Sequence, residues 1–239
     1  MARQEKQLGS SVIVYDDELV SQISPEMFRA DNWPDATVVP GYSGGRGATL
    51  FISNAGSEWA LKHYHRGGLI GRWLSDGFLW SGRSSARSVV ELDLLSEIVA
   101  AGLPAPIPVA AHVQRKGWFY TADLITARIP DVTPFSSRLV AGAADADIWA
   151  EVGACVGRFH AAGFYHADLS THNLQIDSAN NIYLLDWDRG RKLPAGSWQK
   201  SNLDRLHRSC VKISRDGQAH FTEADWGALL AGYQSVRSA

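Results

Sequence analysis

The chain has 239 residues, of which 45% are hydrophobic and 20% are charged. This is the composition of a globular protein, and it excludes a disordered chain and a collagen-like repeat. The net charge of −2 argues against a generally basic nucleic-acid-binding protein, and the length suffices for one large domain or two lobes.

The cysteines and the N-terminus bear on the cellular compartment. Cys155 and Cys210 are too few for a disulfide framework, and neither lies in a metal-binding spacing. Cys155 falls in an apolar helical pattern, which predicts a core position. Residues 1–7 lack the apolar segment of a secretory signal, and no stretch approaches the roughly 20 apolar residues of a membrane span. We therefore expect a cytoplasmic location.

The first 40 residues contain patterns typical of a strand at Ser11–Tyr15 and a short helix at Ile23–Arg29. They carry no recognisable chemical motif, and we interpret them as a packing extension of the first lobe. The glycine-rich segment that follows includes Gly44, Gly45 and Gly47. A loop with so few side chains can bring backbone N–H groups close to phosphates. We therefore predict a phosphate-covering loop between antiparallel strands, although the third glycine of GxGxxG is absent.

A lysine lies on the next predicted strand. Alternation places Trp59 and Leu61 on one face of this strand and Lys62 on the other. Lys62 therefore occupies the position at which protein kinases carry the lysine that contacts the ATP phosphates. The following predicted helix offers Glu91 or Glu97 as the ion-pair partner of this lysine, and periodicity does not choose between them.

Two segments are rich in basic residues. The first covers residues 63–87 and interleaves arginines with aromatic residues. The second covers residues 189–215 and holds eight Lys or Arg against one Asp. Because arginine can bind a carboxylate or a phosphate in a two-point contact, we expect these segments to bind an anionic acceptor. For the first segment, the simpler interpretation is a solvated loop whose aromatic residues pack on a neighbouring helix. The candidate acceptor-binding residues are Arg66, Arg72, Arg189 and Arg191, and the first segment also holds Arg83 and Arg87.

Apolar residues at helical spacing predict several helices. They cover residues 85–101, residues 136–139, a stretch from Asp145 or Asp147 to Gly163, and residues 223–236. The runs Leu174–Asp177 and Ile182–Leu185 flank an Asn-rich turn and predict a β-hairpin. This hairpin would hold the loop before it beside the loop after it.

Those two loops carry three polar residues. Asp168 and Asn173 precede the first strand of the hairpin, and Asp186 follows the second. With His166 they reproduce the order H-x-D-x-x-x-x-N followed by an Asp-led tripeptide, which is the layout of protein-kinase-type phosphotransferases. A single Asp in a loop is usually a turn former, so the prediction depends on the spacing of all three.

Phosphoryl transfer requires mainly positioning and charge neutralisation from the protein. In this layout Gly44–Gly47 would cover the phosphates of ATP, and Lys62 would hold their oxygens. Asn173 and Asp186 would bind Mg²⁺. Asp168 would orient the acceptor hydroxyl and accept its proton.

Several motifs resemble one family of sugar kinases. Tyr-His-Ala-Asp-Leu-x-x-His-Asn at residues 165–173 and Asp-Trp-Asp-Arg-Gly-Arg at residues 186–191 are similar to the 3-deoxy-D-manno-octulosonic acid (Kdo) kinases of Gram-negative bacteria. The glycine loop Gly-Gly-Arg-Gly-Ala-Thr, the segment Lys-His-Tyr-His-Arg-Gly-Gly-Leu and Arg87-x-x-x-Glu91 also resemble that family. The resemblance spans roughly residues 44–192.

This resemblance implies a bilobal protein-kinase-like α+β fold. A small antiparallel-sheet N-lobe would cover residues 1–125, and a shortened, mainly helical C-lobe would cover residues 126–239. The implied activity is ATP-dependent phosphorylation of the 4-hydroxyl of Kdo on a lipid A precursor in lipopolysaccharide core biosynthesis. Asp168 would be the active-site residue.

The same resemblance places the protein at the cytoplasmic face of the inner membrane. The basic segments suit a lipid-linked anionic sugar, and they also suit an anionic membrane surface, where each Lys or Arg contributes about 1 kcal/mol. We therefore expect peripheral membrane contact. No nucleic-acid partner is expected, and no protein partner is inferred.

The chain departs from protein kinases in ways that bear on the acceptor. Ala167 replaces the Arg of H-R-D, Trp187 replaces the Phe of D-F-G, and only about fifty residues follow Asp186. A small or lipid-linked acceptor therefore fits better than a protein. Alternatives are a kinase for a heptose, a fructosamine-type adduct or an aminoglycoside, although an arginine-rich site disfavours a polycation. A non-catalytic kinase-like scaffold is the least favoured, because Lys62 and both key aspartates are present.

Overall fold

The structure, a computed structural model, describes residues 2–40, 48–65, 76–216 and 219–237. Its contacts divide the chain into two compact units. The first consists of Met1–Glu97 and Pro106–Arg128, and the second of Ile98–Ala105 and Ile129–Ala239. An antiparallel sheet dominates the first unit and helices dominate the second, which confirms the predicted α+β class.

Strands form most of the first unit. They are β1 (Arg3–Leu8), β2 (Ser11–Asp16), β3 (Thr37–Pro40), β4 (Ala48–Asn54), β5 (Ser57–His63), β6 (Phe78–Leu79), β7 (Pro108–Lys116) and β8 (Phe119–Ala127). Among the described residues they pair antiparallel in one eight-stranded sheet, in the order β1-β2-β7-β8-β5-β4-β3, and β6 pairs with β8. The strand predicted at Ser11–Tyr15 is therefore confirmed as part of β2.

The segment between β2 and β3 covers one face of this sheet. Phe28, at the end of a 3₁₀ helix over Pro25–Phe28, belongs to the same apolar cluster as Trp59 and Leu61 of β5. The predicted alternation of β5 is confirmed. The helix predicted over Ile23–Arg29 is only this single turn, because the backbone is already extended at the residue after it. The N-terminal segment packs as predicted, and it also contributes β1 and β2 to the sheet.

Helix α1 (Arg87–Ala100) lies close to its predicted position. Val89, Leu92 and Leu95 are buried along its apolar face, which accounts for the helical periodicity of the sequence. Gly102 then adopts a φ of +71°, a left-handed conformation that commonly ends helices and that glycine accepts without strain.

The second unit is mainly helical. Its elements are β9 (Thr133–Pro134), α2 (Phe135–Ala141), α3 (Ala146–Ala161), β10 (Phe164–Tyr165), β11 (Leu174–Ile176), β12 (Ile182–Leu184), β13 (Arg191–Lys192), α4 (Trp198–Arg215) and α5 (Glu223–Ser235). The predicted helices correspond to α2, α3 and α5, and Asp145 occupies the N-cap position of α3. Helix α4 covers much of the segment that the sequence presented only as basic, and it was not predicted.

Helices α3 and α5 pack closely because each has a glycine where the backbone of the other helix approaches. A Cβ atom on Gly153 of α3 would lie 1.9 Å from the carbonyl oxygen of Leu229, and one on Gly232 of α5 would lie 1.9 Å from that of Ala150. No side chain fits at either position without moving a backbone. This contact supports α3, which delivers the chain to β10 and the loop after it.

Two predictions about the chain as a whole can be compared with the structure. Cys155 is fully buried in α3, as predicted, and burial raises the pKa of its thiol to about 12. In the described ranges, none of the helices combines the length and the apolar character needed to cross a bilayer.

Candidate active site

Lys62 and Glu91 form an ion pair in the first unit. The Nζ atom of Lys62 lies 3.1 Å from Oε2 and 3.3 Å from Oε1 of Glu91. Glu91 is buried, and the hydroxyl of Tyr64 donates a hydrogen bond to its Oε2 atom. Such partners offset the cost of burying a carboxylate. Of the two glutamates that the sequence left open, Glu91 and not Glu97 therefore pairs with the strand lysine.

Tyr64 is a residue that sequence reasoning missed. It follows Lys62 by two positions, so strand alternation places the two side chains on one face. Its ring centroid lies 4.9 Å from the Lys62 ammonium, a cation–π contact, while its hydroxyl reaches Glu91. The K-x-Y spacing was the signal available in the sequence.

A polar row on the other face of the sheet, buried at Asp123 and His112 and partly exposed at His63, fixes β5 next to its neighbours. Nδ1 of His63 lies 2.6 Å from Oδ1 of Asp123, whose Oδ2 lies 3.1 Å from Nδ1 of His112. The hydrogen bond to Asp123 raises the pKa of His63. Burial acts to raise the pKa of Asp123, but the two histidine hydrogen bonds outweigh it and the pKa is lowered. The row holds the backbone that carries Lys62.

Part of the predicted phosphate and acceptor machinery falls outside the described residues. This applies to the glycines of the loop and to two of the candidate arginines. They are Gly44, Gly45, Gly47, Arg66 and Arg72.

The described arginines of the first basic segment have structural contacts. Arg83 forms an ion pair with Glu5. The guanidinium carbon of Arg87 lies 4.8 Å from the ring centroid of Phe78 and 5.5 Å from that of Tyr64. These two arginines therefore make structural contacts within the first unit.

In the second unit the predicted hairpin is present. β11 and β12 pair antiparallel, with Leu174 opposite Leu184. Asn180 adopts a φ of +66° in the turn, and Oδ1 of Asp177 accepts hydrogen bonds from the N–H groups of Ala179 and Asn181. Asn and Asp are favoured in turns for these two reasons. The hairpin prediction is confirmed.

The hairpin brings together the loops that carry the three predicted residues. The side-chain amide of Asn173 donates a 2.8 Å hydrogen bond to the carbonyl oxygen of Asp168. The backbone carbonyl of Asn173 accepts a 2.9 Å hydrogen bond from the N–H of Leu185, the residue before Asp186. Asp186 itself has a φ of +62°, which redirects the chain directly after β12. Asn173 is thus bonded both to Asp168 and to the neighbour of Asp186.

His166 braces the same loops. Its Nδ1 atom accepts a 3.1 Å hydrogen bond from the N–H of Asp168, and its Nε2 atom donates a 2.8 Å bond to the carbonyl of Leu185. The imidazole is buried and packs edge to face on Trp187, with ring centroids 4.8 Å apart. His166 therefore supports the loop, and Trp187 fills the core beneath it.

Helix α4 supports the loop of residues 166–173 from its other side. The amide of Asn202 donates a 2.7 Å hydrogen bond to the carbonyl of His166, while its Oδ1 atom lies 3.1 Å from Nε2 of His160 in α3. Thr171 of the loop hydrogen-bonds to the hydroxyl of Ser209 through its N–H and its side chain. The second basic segment therefore includes a structural helix with polar contacts to the loop.

The same helix contributes an arginine to the site. Nε of Arg205 lies 3.1 Å from Oδ1 of Asp168, and its Nη2 atom contacts the same oxygen. The two side chains are about half exposed, 45% and 50% respectively. Sequence reasoning placed Arg205 in a basic segment but not beside Asp168, because α4 itself was not predicted. The signal available in the sequence was the three-residue spacing of Asn202 and Arg205, which places both side chains on the same face of a helix.

The remaining candidate arginines lie just beyond the hairpin. Arg189 is exposed and has a φ of +64°. Arg191 is exposed on β13, where it pairs with Tyr165, the residue before His166. The structure therefore places Arg191 next to the start of the loop that carries Asp168.

One feature of the loop fits a hard cation. Oδ1 of Asn173 is buried, and it accepts no hydrogen bond within the part of the chain that the structure describes. The amide nitrogen of the same side chain is held by Asp168, so the free oxygen has a fixed direction. The described residues hold no cluster of three or more His, Cys, Asp or Glu side chains that suits a metal. Mg²⁺ commonly needs only one or two protein oxygens, because phosphates and water complete its coordination.

Comparison with known proteins extends over almost all of the chain. The model of the lipopolysaccharide kinase (Kdo/WaaP) family matches residues 31–233. The 3-deoxy-D-manno-octulosonic acid kinase of Vibrio vulnificus (strain YJ016) is 35% identical over 232 residues, which are 97% of this chain and 98% of that protein. The protein of the same name from Vibrio parahaemolyticus serotype O3:K6 is 36% identical over 221 residues, 92% of this chain and 93% of its own.

Among solved structures, the bifunctional kinase-methyltransferase WbdD aligns with a TM-score of 0.47 and 16% sequence identity, over 83% of this chain and 45% of that one. The family match covers far more than half of the sequence, and the similarity to full-length relatives confirms the resemblance inferred from the motifs. The chain belongs to the lipopolysaccharide kinase (Kdo/WaaP) family.

Proposed function

We propose that this protein transfers the γ-phosphoryl group of ATP to the 4-hydroxyl of Kdo on a lipid A precursor, in lipopolysaccharide core biosynthesis. The curated relatives named as Kdo kinases support the sugar and the reaction. The observation that carries the proposal is the bonding of Asn173 to Asp168 and to Leu185. Through these bonds one loop would present the carboxylate of Asp168 to the acceptor and the amide oxygen of Asn173 to the cation.

In this proposal the first unit holds the nucleotide. The Lys62 ammonium neutralises charge on the α- and β-phosphates of ATP, and Glu91 keeps that ammonium oriented. Tyr64 in turn orients Glu91. The backbone of Gly44, Gly45 and Gly47 would cover the phosphates.

The second unit holds the cation and the acceptor. Asn173 and Asp186 would bind Mg²⁺, which neutralises charge on the β- and γ-phosphates when it is bound. Asp168 orients the acceptor hydroxyl and accepts its proton as the phosphoryl group is transferred. Both contacts from Arg205 fall on Oδ1 of Asp168, so Oδ2 is left for that hydroxyl. Arg205 is therefore a positioning residue in this proposal.

Acceptor recognition follows from charge. Kdo carries a carboxylate and a lipid A precursor carries phosphates, and arginine binds both groups in two-point contacts. Exposed Arg189 and Arg191 lie close in sequence to the metal-binding Asp186, and Arg66 and Arg72 are the further candidates. Because the acceptor is lipid-linked, we propose that the protein works peripherally at the cytoplasmic face of the inner membrane.

A panel of acceptors tests the proposed substrate. ATP consumption would be measured with Mg²⁺ and with a Kdo-bearing lipid A precursor, a heptose, a fructosamine adduct or an aminoglycoside. We expect turnover only with the Kdo-bearing acceptor. Faster turnover with a heptose would assign the chain to a different acceptor, and the absence of turnover with every compound would contradict the kinase assignment.

A further inference from the structure

An apolar tip projects from one end of the sheet in the first unit. Trp118, in the turn between β7 and β8, is 83% exposed, and Leu79 of β6 is 64% exposed. They are neighbours, because Leu79 pairs with Phe119 and the N–H of Trp80 donates a 2.9 Å hydrogen bond to the carbonyl of Trp118. Leu8, at the end of β1, is also exposed at 39%. We call Leu8, Leu79 and Trp118 the apolar tip.

The tip is held rigidly by its backbone. Gly117 has a φ of +63°, which closes the tight turn before Trp118. The carbonyl of Gly117 accepts a 3.0 Å hydrogen bond from Nε of Arg115, whose N–H group also bonds to the carbonyl of Ser10 in the β1–β2 turn. The conformation of this turn thus keeps the Trp118 side chain exposed.

Basic side chains surround the tip. Arg115 and Lys116 are exposed on the strand that leads to Trp118, and the guanidinium carbon of Arg115 lies 5.2 Å from the ring centroid of Trp80. Arg83 is also close to this group, and it pairs with Glu5. Arg83 and Arg115 also line a cavity of about 670 Å³ beside Trp80. The surroundings of the tip therefore carry net positive charge.

We propose that the apolar tip and its basic rim dock the protein on an anionic phospholipid bilayer. Tryptophan prefers the boundary between head groups and acyl chains, and arginine and lysine bind anionic head groups. An exposed tip of three side chains is too small for a stable protein interface, which buries about 1,000 Å² or more, but it suits shallow insertion. The proposal rests on the proposed function, because a lipid-linked acceptor is met at a bilayer.

The test is sedimentation of the full chain with vesicles of phosphatidylethanolamine and phosphatidylglycerol. Trp118→Ser should lower the vesicle-bound fraction, with at least about a tenfold weaker partition coefficient, because the indole is the largest apolar group of the tip. Val140→Ser is the matched control, since Val140 is a 51% exposed apolar residue of α2 in the other unit. It should bind vesicles like the wild type.

The rim is tested separately. The double variant Arg115→Gln and Lys116→Gln should lose most of the salt dependence of binding, and wild type should bind vesicles of phosphatidylcholine alone more weakly than anionic ones. Equal binding of wild type and Trp118→Ser, or no binding of wild type to anionic vesicles, would overturn the proposal. Circular dichroism and thermal unfolding should confirm that each variant folds.

A kinase assay separates this inference from the proposed function. Trp118→Ser should phosphorylate a water-soluble Kdo acceptor at the wild-type rate and a vesicle-embedded acceptor several-fold more slowly. Equal slowing with both acceptors would overturn the docking role. If wild type phosphorylates neither acceptor, the proposed function is contradicted, while vesicle sedimentation still decides whether the tip docks.

Discussion

Two nitrogen atoms of Arg205 contact a single carboxylate oxygen of Asp168, with Nε at 3.1 Å. The arginine comes from α4, whose Asn202 also hydrogen-bonds to the carbonyl of His166. One helix thus contacts both the backbone of His166 and the side chain of Asp168. In the proposed reaction, Oδ2 of Asp168 is the oxygen that faces the acceptor hydroxyl.

The first prediction concerns this restraint. Arg205→Ala should lower kcat for the Kdo acceptor by about tenfold to a hundredfold, because a misplaced base loses alignment. The KM for ATP should stay within about twofold of the wild-type value. Arg205→Lys should recover part of kcat, since it keeps the charge but not the two-point contact. Steady-state kinetics with each substrate varied would measure the effects.

A neighbouring arginine provides the control. Arg208 is exposed on the same helix, three residues beyond Arg205. Arg208→Ala should leave kcat near the wild-type value. If the two alanine variants lose kcat equally, charge on α4 and not the contact with Asp168 is responsible.

A second prediction concerns Asp168 itself. Asp168→Ala should reduce phosphoryl transfer by at least about 10²–10⁴-fold, the usual contribution of a general base. ATP binding should persist, because the proposed nucleotide contacts lie on other residues. Isothermal titration with Mg-ATP would be compared with the transfer rate. Loss of ATP binding together with residual transfer would contradict the acceptor-side role of this aspartate.

The ion pair of the first unit gives a third prediction. Glu91→Gln should raise the Kd for ATP by about tenfold, because Lys62 loses its charged partner. Glu97→Gln, on the same helix, is the matched control and should bind ATP like the wild type. Tyr64→Phe removes one hydrogen bond to Glu91 and should have a smaller effect. Equal effects of the two glutamate variants would argue against a specific role of Glu91.

A fourth prediction concerns the contact between α3 and α5. Gly153→Ala should lower the free energy of unfolding by about 1–3 kcal/mol, because the new methyl group meets the backbone of Leu229. Gly227→Ala is the control, since a Cβ atom there has nothing within 4 Å. It should be neutral or stabilising by up to about 1 kcal/mol, because alanine favours the helix. Urea unfolding would measure both variants. A Gly153→Ala protein as stable as the wild type would contradict the close approach of α3 and α5.

A fifth prediction concerns acid stability. Burial lowers the pKa of His160 from 6.5 to about 4, and this residue bonds to Asn202 and Tyr233. On acidification, His160 is therefore protonated near pH 6.5 in the unfolded chain but only near pH 4 in the folded protein. The contribution of neutral His160 to the free energy of unfolding is complete above pH 6.5. It is lost as the pH falls from 6.5 to about 4, and the loss is at most about 3 kcal/mol.

The measurement compares urea unfolding of wild type and His160→Gln at several pH values between neutral and mildly acid. The variant should lose less stability on acidification than the wild type, because glutamine does not titrate. Parallel pH profiles of the two proteins would show that His160 does not supply the effect. His63, whose pKa is raised, acts in the opposite direction, since its contribution is lost as the pH rises.

The arrangement of the loops around the hairpin was largely predictable, because it follows from local spacing. The hairpin at residues 174–184 needs only alternating apolar residues and an Asn-rich turn, and both are visible in the sequence. Once it forms, Asn173 and Leu185 must be neighbours. The roles of Asp168, Asn173 and Asp186 remain predictions until they are tested.

The contacts of α4 were not predictable from the same signals. Its basic residues hid the helical pattern, because only one narrow apolar stripe, including Leu206 and Cys210, is buried. The contact between Arg205 and Asp168 joins residues 37 positions apart, and it depends on how α4 packs. The contacts of Arg83 and Arg87 also depend on tertiary packing. The sequence therefore suggested a cationic surface, whereas these arginines contact Glu5 and aromatic rings.

Mass spectrometry of the reaction product tests the central claim most directly. The protein would be incubated with Mg-ATP and a Kdo-bearing lipid A precursor, beside Asp168→Ala as the inactive reference. We expect wild type to add one phosphate group, located on the Kdo 4-oxygen by fragmentation, and the variant to add none. An unmodified precursor with wild-type protein, or a phosphate on the lipid A part, would contradict the proposed reaction.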